Sequence, residues 1–576
     1  MKTKLLIFLT MTLTLDAYAG SATWLLNAGD GNWNDASHWI PATVPNGPDD
    51  IATFDVSNTL VPSIFADTEV NSIVFDSNAS AFTVTATPGF ALTISGEGIT
   101  NNSGSEENFL NAVQDFVING QAGSTIFTGA ATAGAQNTFT NDAQIYDYSG
   151  DAGRIDFYDT STGGSATFIN LGSGTYNGTE IEFHDNSTAG DATITNNALS
   201  GVLGANAQIL FVDASTAGNT TITNKAAGNP YSPGGWVQFF NDATAGNAII
   251  SNEGSSTETE SAAETFFFGA SSADNATLIA NGGVEFGGAL IAFGDGTTAG
   301  NATIIINGEL DDVEPGMLFF NSSSTGGTAR IELFGKGTLL LANRAVRQVT
   351  VGSIEGDGFV TLEDNQLIVG SNNLSTTFSG IISDGDLGGS FAKIGNGTLV
   401  LLNANTYAGG TRVNRGALKV NNTGGSGTGS GPVQVDGGSF GGTGIVSGAV
   451  MVGNRRPAKL APGNHGRGSL TILNTLTFGQ GGKYSWSFDS RTFQAESVTA
   501  QGATIESGAL FSPLSIGNVQ LPLGTVFVVI NNIAATPIAG SFVNLPDGGT
   551  ITIGSNTFQA NYEGGDGNDL TLTVIP

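Results

Sequence analysis

Cysteine is absent from the 576 residues, and histidine occurs only three times. The absence of cysteine excludes disulfides, thiol catalysis, Cys-ligated zinc and Cys-held iron–sulfur clusters. A chain of this length buries enough apolar area to fold without disulfides. Basic residues are scarce as well, with 18 Lys and Arg against 50 Asp and Glu, so that the formal charge is −32. This charge argues against nucleic acid and anionic membranes as partners.

Long hydrophobic runs are also lacking, because no segment has 18 consecutive apolar residues. We therefore predict no transmembrane segment in the mature chain. The N-terminus has basic Lys2 and Lys4, a short apolar stretch at 5–15, and Ala17-Tyr18-Ala19. A basic start, a short apolar core and an A-x-A site are typical of a secretory signal peptide. We predict a signal peptide at 1–19, cleavage after Ala19, and a secreted or cell-surface protein.

Good helix formers are few, and no convincing 3.6-residue periodicity follows the signal peptide. Glycine is abundant, with 84 residues, and it alternates with Val, Ile, Phe and Thr in short segments. Such glycines separate strands, which predicts an all-β protein.

One sequence pattern recurs between about 120 and 335. Each copy has an Ile/Val-x-Phe-x-Asp/Asn segment, a Thr-Ala-Gly turn and an Asn/Asp-x-Thr/Ile-Ile segment, as in 181–196 and 209–224. The turn positions, mostly glycine, fall at Gly134, Gly164, Gly190, Gly218, Gly246, Asp274, Gly300 and Gly327. Successive turns are therefore 30, 26, 28, 28, 28, 26 and 27 residues apart. A period this regular is typical of stacked repeats.

Two strands and one turn in each copy cannot bury their apolar face alone, but stacked copies form a continuous core. We expect aligned Asn and Thr side chains to form ladders along the stack. β-Propeller blades are longer, at about 40–50 residues, although a propeller or an array of small sandwiches stays an alternative. The predicted fold is an all-β, right-handed parallel β-helix, or β-solenoid, with β-rich caps.

The pattern changes after 335. Gly395–Leu401, Asn405–Thr411 and Gly416–Val420 follow one another as a Gly-x-Gly-Thr-Leu-x-Leu strand, an Asn-x-Tyr-x-Gly-Gly-Thr turn and a Gly-x-Leu-x-Val strand. This order resembles the autotransporter-associated β-strand repeat. The resemblance implies a passenger-like parallel β-helix exposed outside a Gram-negative-type cell. The sequence ends in Val574-Ile575-Pro576, and we expect a passenger-like chain without the C-terminal translocator barrel.

Few residues are candidates for chemistry. The three histidines, His38, His184 and His465, form no close sequence pair. Ser439 lies in a G-x-S-x-G match without the strand-to-helix context that a nucleophile needs. The segment from Gly564 to Asp569 resembles a single copy of a calcium β-roll repeat, but we expect a turn there.

Acidic residues recur two positions after the repeated Phe, where a row of carboxylates is a candidate site for sugar cleavage. The row comprises Asp159, Asp185, Asp213 and Asp295, with Asn241 and the adjacent Asp242 in the copy between. A repeated position next to a turn is more often turn chemistry. The basic pairs Arg344 with Arg347 and Arg455 with Arg456 are expected at domain joints. Trp24, Trp33 and Trp39 are expected in an N-terminal capping core.

These observations predict an exported surface or extracellular structural or adhesive β-solenoid protein without catalytic activity. A polysaccharide-degrading lyase or glycosidase and a calcium-stiffened matrix or surface-layer component stay open as alternatives. We predict no catalytic, cofactor-binding or metal-binding residues, although calcium stays open, and extracellular glycans or cell-surface components as partners. The predicted domains are a signal peptide (1–19), an N-terminal β cap (20–115), the repeat solenoid (116–335), a β-helix with the family repeat (336–480; repeat 393–421) and a C-terminal β-module (481–576).

Overall fold

A computed structural model describes residues 20–113, 121–142, 152–172, 178–197, 206–227, 234–256, 261–284, 287–308 and 313–576. The predicted signal peptide lies outside these residues. The chain divides into two compact units, Met1–Ile194 and Thr195–Pro576. The predicted domains follow changes of sequence pattern instead, and their boundaries stay predictions.

In its described residues, the first unit is built from short strands and one 3-10 helix, Ala36–His38. Its strands are β1 Ala22–Trp24, β2 Trp39–Ile40, β3 Gly47–Phe54, β4 Ser63–Ile64, β5 Thr68–Phe75, β6 Thr83–Ala86, β7 Ala91–Asn101, β8 Glu107–Asn111, β9 Ser124–Phe127, β10 Ala135–Asn141, β11 Arg154–Phe157, β12 Ser165–Leu171 and β13 Glu180–Phe183. The division between the units falls within β14, Thr193–Asn197.

The second unit begins with a long series of similar strands. These are β15 Gln208–Phe211, β16 Thr221–Asn224, β17 Trp236–Phe239, β18 Ile249–Asn252, β19 Glu264–Phe267, β20 Thr277–Ala280, β21 Gly283–Val284, β22 Leu290–Phe293, β23 Thr303–Asn307, β24 Val313–Glu314, β25 Met317–Phe320, β26 Arg330–Phe334, β27 Thr338–Leu341, β28 Gln348–Val351, β29 Ser353–Gly356, β30 Phe359–Thr361, β31 Gln366–Val369, β32 Thr376–Phe378, β33 Ile381–Ser383 and β34 Ser390–Lys393.

The rest of the second unit continues in the same way to the C-terminus. Its strands are β35 Thr398–Leu401, β36 Thr411–Val413, β37 Ala417–Val420, β38 Val433–Val435, β39 Gly438–Gly442, β40 Ile445–Val446, β41 Val450–Val452, β42 Ala458–Pro462, β43 Gly468–Ile472, β44 Leu476–Phe478, β45 Gly482–Asp489, β46 Gln494–Ala500, β47 Ala503–Ile505, β48 Leu510–Ile516, β49 Val526–Asn532, β50 Thr550–Ile553, β51 Asn556–Gly564 and β52 Asp569–Ile575.

Equivalent strands of successive repeats pair in parallel and in the same register. In the second unit, β17 pairs with β15 and β19, so that Phe239 lies beside Phe211 and Phe267. The second strand of the repeat does the same, because β18 pairs with β16 and β20. Within each unit the strands therefore form a parallel β-solenoid, which confirms the predicted fold and excludes the propeller and the sandwich array.

The repeated Phe forms the apolar core of each turn of the solenoid. Side chains of a strand alternate between inside and outside, and the Ile/Val and Phe of each first strand are buried. The Phe rings stack, with centroids 4.8 Å apart for Phe211 and Phe239 and 4.7 Å apart for Phe239 and Phe267. In the first unit, Phe157 and Phe183 stack at 4.6 Å. The stack follows from the inter-strand spacing of about 4.8 Å, which offset aromatic rings accept without strain.

The predicted ladders of polar side chains lie inside the solenoid, at the end of the second strand. In the second unit, Asn196 Nδ2 donates to Asn224 Oδ1 (2.9 Å), and Asn224 Nδ2 donates to Asn252 Oδ1 (2.8 Å). The first unit has an equivalent pair, Asn111 and Asn141, at 2.8 Å. These amides are fully buried or nearly so, and a buried amide needs such partners because an unpaired polar group is costly.

The turn positions all adopt the left-handed backbone conformation. The eight residues that the repeat places at the turn have φ between +48° and +78°. Glycine suits this conformation because it lacks a Cβ atom. Space is a second reason, since a Cβ atom on Gly246 would lie 2.7 Å from the carbonyl oxygen of Gly218. Just before each turn, isolated parallel bridges such as Thr216 to Thr244 form a narrow third face.

After β27 the turns of the solenoid are shorter, and the third face becomes a sheet. Strands β28, β31, β34, β36, β38, β41, β44 and β47 form this eight-stranded sheet. The core of these turns is mainly aliphatic, with residues such as Leu367, Leu399 and Leu418 fully buried or nearly so.

Both units contain antiparallel pairs in addition to the parallel stack. In the first unit, β1 and β2 pair antiparallel, and Trp24, Trp33 and Trp39 pack together in the predicted N-terminal core. In the second unit, β52 pairs antiparallel with β49 and β51. Such pairs turn the chain away from the parallel ladder and protect strand edges.

Candidate functional site

A cluster of charged and aromatic side chains lies on the outer face of β11 and β13 in the first unit. The two strands pair in parallel, and their register places Arg154 beside Glu180 and Asp156 beside Glu182. Alternation along a strand directs these residues outward, because Ile155 and Phe157 point into the core. Two residues after Asp156 and Glu182, the rings of Tyr158 and His184 stack with their centroids 4.4 Å apart.

Arg154 holds the three carboxylates of the cluster together. Its Nε donates to Asp156 Oδ1 (2.6 Å) and its Nη1 donates to Glu180 Oε2 (3.3 Å). A further hydrogen bond runs from its Nη2 to Glu182 Oε2. One guanidinium faces three carboxylates, so the cluster has an excess of negative charge when all of them are ionised.

Burial changes the protonation of this cluster. Asp156 is only 5% exposed, and loss of solvent raises its pKa although Arg154 acts in the opposite direction. Burial also raises the pKa of Glu180. Burial lowers the pKa of Arg154, but its carboxylate neighbours raise it by more, so that the guanidinium stays charged. Burial thus favours the protonated form of Asp156 and Glu180, whereas Arg154 favours the ionised form.

His184 contributes a nitrogen atom to the same cluster. Its Nε2 lies 3.5 Å from Glu182 Oε2, and among the described residues it makes no hydrogen bond although it is buried. Donor atoms of Asp156, Glu182 and His184 lie within 4.8 Å of one another. An imidazole nitrogen with two carboxylates is a ligand set that divalent metals use.

The acidic residues that follow the repeated Phe lie on exposed turns. In the first unit, Asp159 Oδ2 accepts hydrogen bonds from Thr128 Oγ1 (2.6 Å) and Gly129 N (2.9 Å), and its own amide donates to Asp185 Oδ2 (3.0 Å). These hydrogen bonds lower the pKa of Asp159. These carboxylates thus form hydrogen bonds between the turns of successive repeats.

The same arrangement recurs in the second unit. Asp295 Oδ1 accepts hydrogen bonds from Ser322 Oγ (3.0 Å) and Ser323 N (3.3 Å), and Asn241 Nδ2 donates to Asp213 Oδ1 (3.4 Å). The adjacent Asp242 donates its amide to the carbonyl of Asp213 (2.9 Å). Asp159, Asp185, Asp213 and Asn241 adopt positive φ, as the turn chemistry of Asp and Asn allows.

The other candidates have surroundings of their own. His38 is buried near Trp24, and its Nδ1 donates to Asn32 O (2.8 Å), whereas His465 lies on an exposed turn. Ser439 lies in β39, which pairs with β37. The segment resembling a calcium repeat forms the turn between β51 and β52.

The basic pairs contact their own surroundings in the second unit. Arg344 Nη2 donates to Ser324 O (2.7 Å), and Arg347 pairs with Asp364 at 2.5 Å. Arg455 has positive φ in the loop before β42. Their expected position at domain joints stays a prediction.

The turn that contains Asn405 and Tyr407 is held by buried polar contacts. Asn405 Oδ1 accepts from the amide of Ile382 (2.8 Å), and its Nδ2 donates to Gly427 O (2.7 Å), so that it links the preceding and following turns. Tyr407 is fully buried, and its hydroxyl is 2.6 Å from Thr411 Oγ1. The conformation of this turn therefore depends on these three side chains.

Residues 391–420, which include this turn, match the model of the passenger-associated-transport-repeat. The search of curated proteins found no match to this chain. The chain therefore contains a passenger-associated-transport-repeat, and the repeat together with the β-solenoid fits an autotransporter passenger-like repeat protein. In the described residues, no helix is long and apolar enough to cross a membrane.

Sequence reasoning did not find the cluster around Arg154. The search for carboxylates followed the position after the repeated Phe, whereas the cluster uses the position between Ile and Phe. The sequence does contain a signal, because the residue between Ile and Phe is charged in Arg154-Ile-Asp-Phe and Glu180-Ile-Glu-Phe. In later copies this residue is uncharged, as in Gln208-Ile-Leu-Phe.

Proposed function

We propose that this protein is an exported surface or extracellular β-solenoid with a structural or adhesive role and no catalytic activity of its own. The observation that carries the proposal is the passenger-associated-transport-repeat at 391–420 within a parallel β-solenoid. Passenger-like solenoids present long surfaces of turns and loops outside the cell, and such surfaces bind partners without a catalytic centre.

Two further observations support export and an extracellular role. The N-terminal 19 residues have the three parts of a secretory signal peptide in order. The net charge of −32 keeps an extracellular protein soluble and directs binding toward uncharged or cationic partners. Extracellular glycans and surface components of host or neighbouring cells are the partners that we propose.

Export is tested by N-terminal sequencing of the protein produced by a Gram-negative-type cell. We expect the exported chain to begin at Gly20 and the Ala19→Lys variant to keep its N-terminal segment, because the cleavage site requires a small residue there. Tyr18→Ser, which changes only the residue between the two alanines, is the matched control and is expected to be processed normally. A wild-type chain that stays inside the cell with Met1 in place contradicts export.

The role outside the cell is tested with the purified chain 20–576 on glycan arrays and polysaccharide substrates, with and without calcium. Binding without products supports the adhesive role, and calcium-dependent binding would point to the acidic turns. Release of reducing or unsaturated sugar ends contradicts the non-catalytic proposal. Such activity would direct mutagenesis first to Asp156 and Glu182, and then to the exposed row of Asp159 and Asp185.

A further inference from the structure

We propose that Asp156, Glu182 and His184 bind a divalent transition-metal ion, of the Zn²⁺ class, on the outer face of the first unit. The three residues come from two adjacent strands that pair in parallel, and their donor atoms lie within 4.8 Å of one another. Metal–ligand bonds of about 2.0–2.2 Å hold tetrahedral donors roughly 3.4 Å apart. Small rotations of the three side chains would have to close this difference when the ion binds.

The histidine of the cluster has no hydrogen-bond partner for its Nε2 atom in the described part of the chain, whereas both carboxylates already contact Arg154. Arg154 binds Asp156 Oδ1 and Glu182 Oε2, and Glu182 Oε2 is also the carboxylate oxygen that lies 3.5 Å from His184 Nε2. An ion at this site would therefore share the two carboxylates with Arg154. His184 Nε2 is buried and makes no hydrogen bond to any described residue. A buried polar atom without a partner is unfavourable, and a bound ion removes this penalty.

The charge of the surroundings favours a cation. The carboxylates of Asp156, Glu180 and Glu182 surround one guanidinium, which leaves an excess of about two negative charges with neutral His184. A divalent ion balances that excess. Arg154 donates to Asp156 and the ring of Tyr158 stacks on His184, and such outer contacts commonly orient the ligands of metal sites.

The ligand set selects the class of metal. Calcium takes six to eight oxygen ligands, whereas this cluster offers two carboxylates and one imidazole nitrogen. Imidazole with carboxylates suits Zn²⁺ and similar transition ions. The remaining coordination positions would be filled by water.

The test is a titration of the purified, EDTA-treated chain 20–576 with ZnCl₂, followed by isothermal calorimetry. We expect one Zn²⁺ ion per chain and a loss of affinity of at least about tenfold in His184→Gln and in Asp156→Asn. His465→Gln, a histidine on an exposed turn of the other unit, is the matched control and is expected to keep the wild-type affinity. Absence of binding, or binding that both site variants retain, overturns the proposal.

A second readout does not depend on affinity. The chain has only three histidines, so that selective isotope labelling gives three imidazole signals in NMR spectra. We expect Zn²⁺ to shift one of them, and that signal to be missing from the His184→Gln spectrum while the other two stay in place, which also reports correct folding. A shift of the His38 or His465 signal instead would contradict the assignment.

Discussion

Within the second unit, the long turns from β15 to β26 and the short turns from β27 to β44 bury their side chains in different ways. First strands of the long turns begin at 208, 236, 264, 290 and 317, whereas those of the short turns begin at 338, 359 and 381. The long turns contain stacked Phe rings and a buried Asn ladder, and their third face is a single bridge. The short turns have an aliphatic core and three strands each.

The difference shows two ways to keep strands in register. In the long turns, Phe stacks on Phe from 211 to 320, and Asn bonds Asn from 196 to 252, so that identical side chains align the strands. In the short turns, the additional sheet supplies backbone hydrogen bonds, and the core side chains need only be apolar and of suitable volume. We therefore expect the long turns to depend more on individual side chains.

The largest expected effect is that of Phe239→Ala, in the middle of the Phe stack. The substitution removes a fully buried ring between Phe211 and Phe267, and we expect a loss of about 3–5 kcal/mol in the free energy of unfolding. Denaturant titration measures this loss. Gln238→Ala, on the outer face of the same strand, is the control and is expected to change stability by less than about 0.5 kcal/mol. Equal effects of the two would show that the stack does not form the core.

The Asn ladder is tested by Asn224→Ala. This change removes hydrogen bonds with Asn196, Asn252 and the carbonyl of Glu264, and we expect a cost of about 2 kcal/mol, since buried partners lose their bonds. Asn247 makes an equivalent amide contact with Asn219 (3.0 Å) on the exposed surface. Thermal unfolding of Asn247→Ala should stay close to the wild type, because water replaces the lost bond. A similar loss at both positions would argue against the role of burial.

The turns of the two regions are compared through Gly246→Ala and Gly385→Ala. Both glycines have positive φ, at +58° and +59°, but only Gly246 lies against backbone, whereas Gly385 has open space. The left-handed conformation costs about 1–2 kcal/mol for alanine at either site. We expect a larger shift in the denaturation midpoint for Gly246→Ala, because its Cβ atom also displaces Gly218. Identical shifts would show that the backbone of the stacked turns moves aside for a Cβ atom at little cost.

The smallest expected effect concerns Lys393 in the short turns. The side chain is buried, its Nζ donates to the carbonyls of Ile394 and Gly395, and burial lowers its pKa to about 8. The unfolded chain keeps this proton up to about pH 10.5, its ordinary value. Unfolding therefore takes up a proton between these two pH values, and stability rises with pH in this window.

The matched variant is Lys393→Met, which has no titrating group. We expect the free energy of unfolding of the wild type, relative to Lys393→Met, to rise on the order of 1 kcal/mol between pH 7.5 and 9.5. Parallel denaturant titrations at the two pH values measure this difference. A constant difference would mean that the buried amine keeps its ordinary pKa.

The repeat pattern predicted most of what positions the core. Phe239, Asn224 and Gly246 recur at fixed intervals, and residues that repeat along the sequence must stack when strands pair in register. The passenger-like repeat was predicted from its own residues, and the match at 391–420 confirms it. The third face of the long turns was not predicted, because its bridge residues, such as Thr216 and Thr244, lie in the repeated turn and lack the alternation of a strand.

The repeat pattern did not predict the cluster around Arg154, because the residues of the cluster are not repeated. Arg154, Asp156 and His184 depart from the repeat, and their meeting depends on the register of β11 and β13 as well as on the outward direction of their side chains. Periodicity predicts the residues that all turns have in common, whereas the residues of this cluster occur in a single pair of turns.

The most direct test of an exported, stacked solenoid is thiol labelling of single cysteines introduced into the chain. Because the chain has no cysteine of its own, each introduced cysteine is the only thiol that can be labelled. Asn247→Cys places a thiol on the exposed side of a turn, and Ala245→Cys places one in the buried core two residues away. With a membrane-impermeant maleimide on intact cells, we predict labelling of Asn247→Cys and none of Ala245→Cys until the protein is denatured. Labelling of Asn247→Cys only after lysis would contradict export, and labelling of native Ala245→Cys would contradict the packed turn.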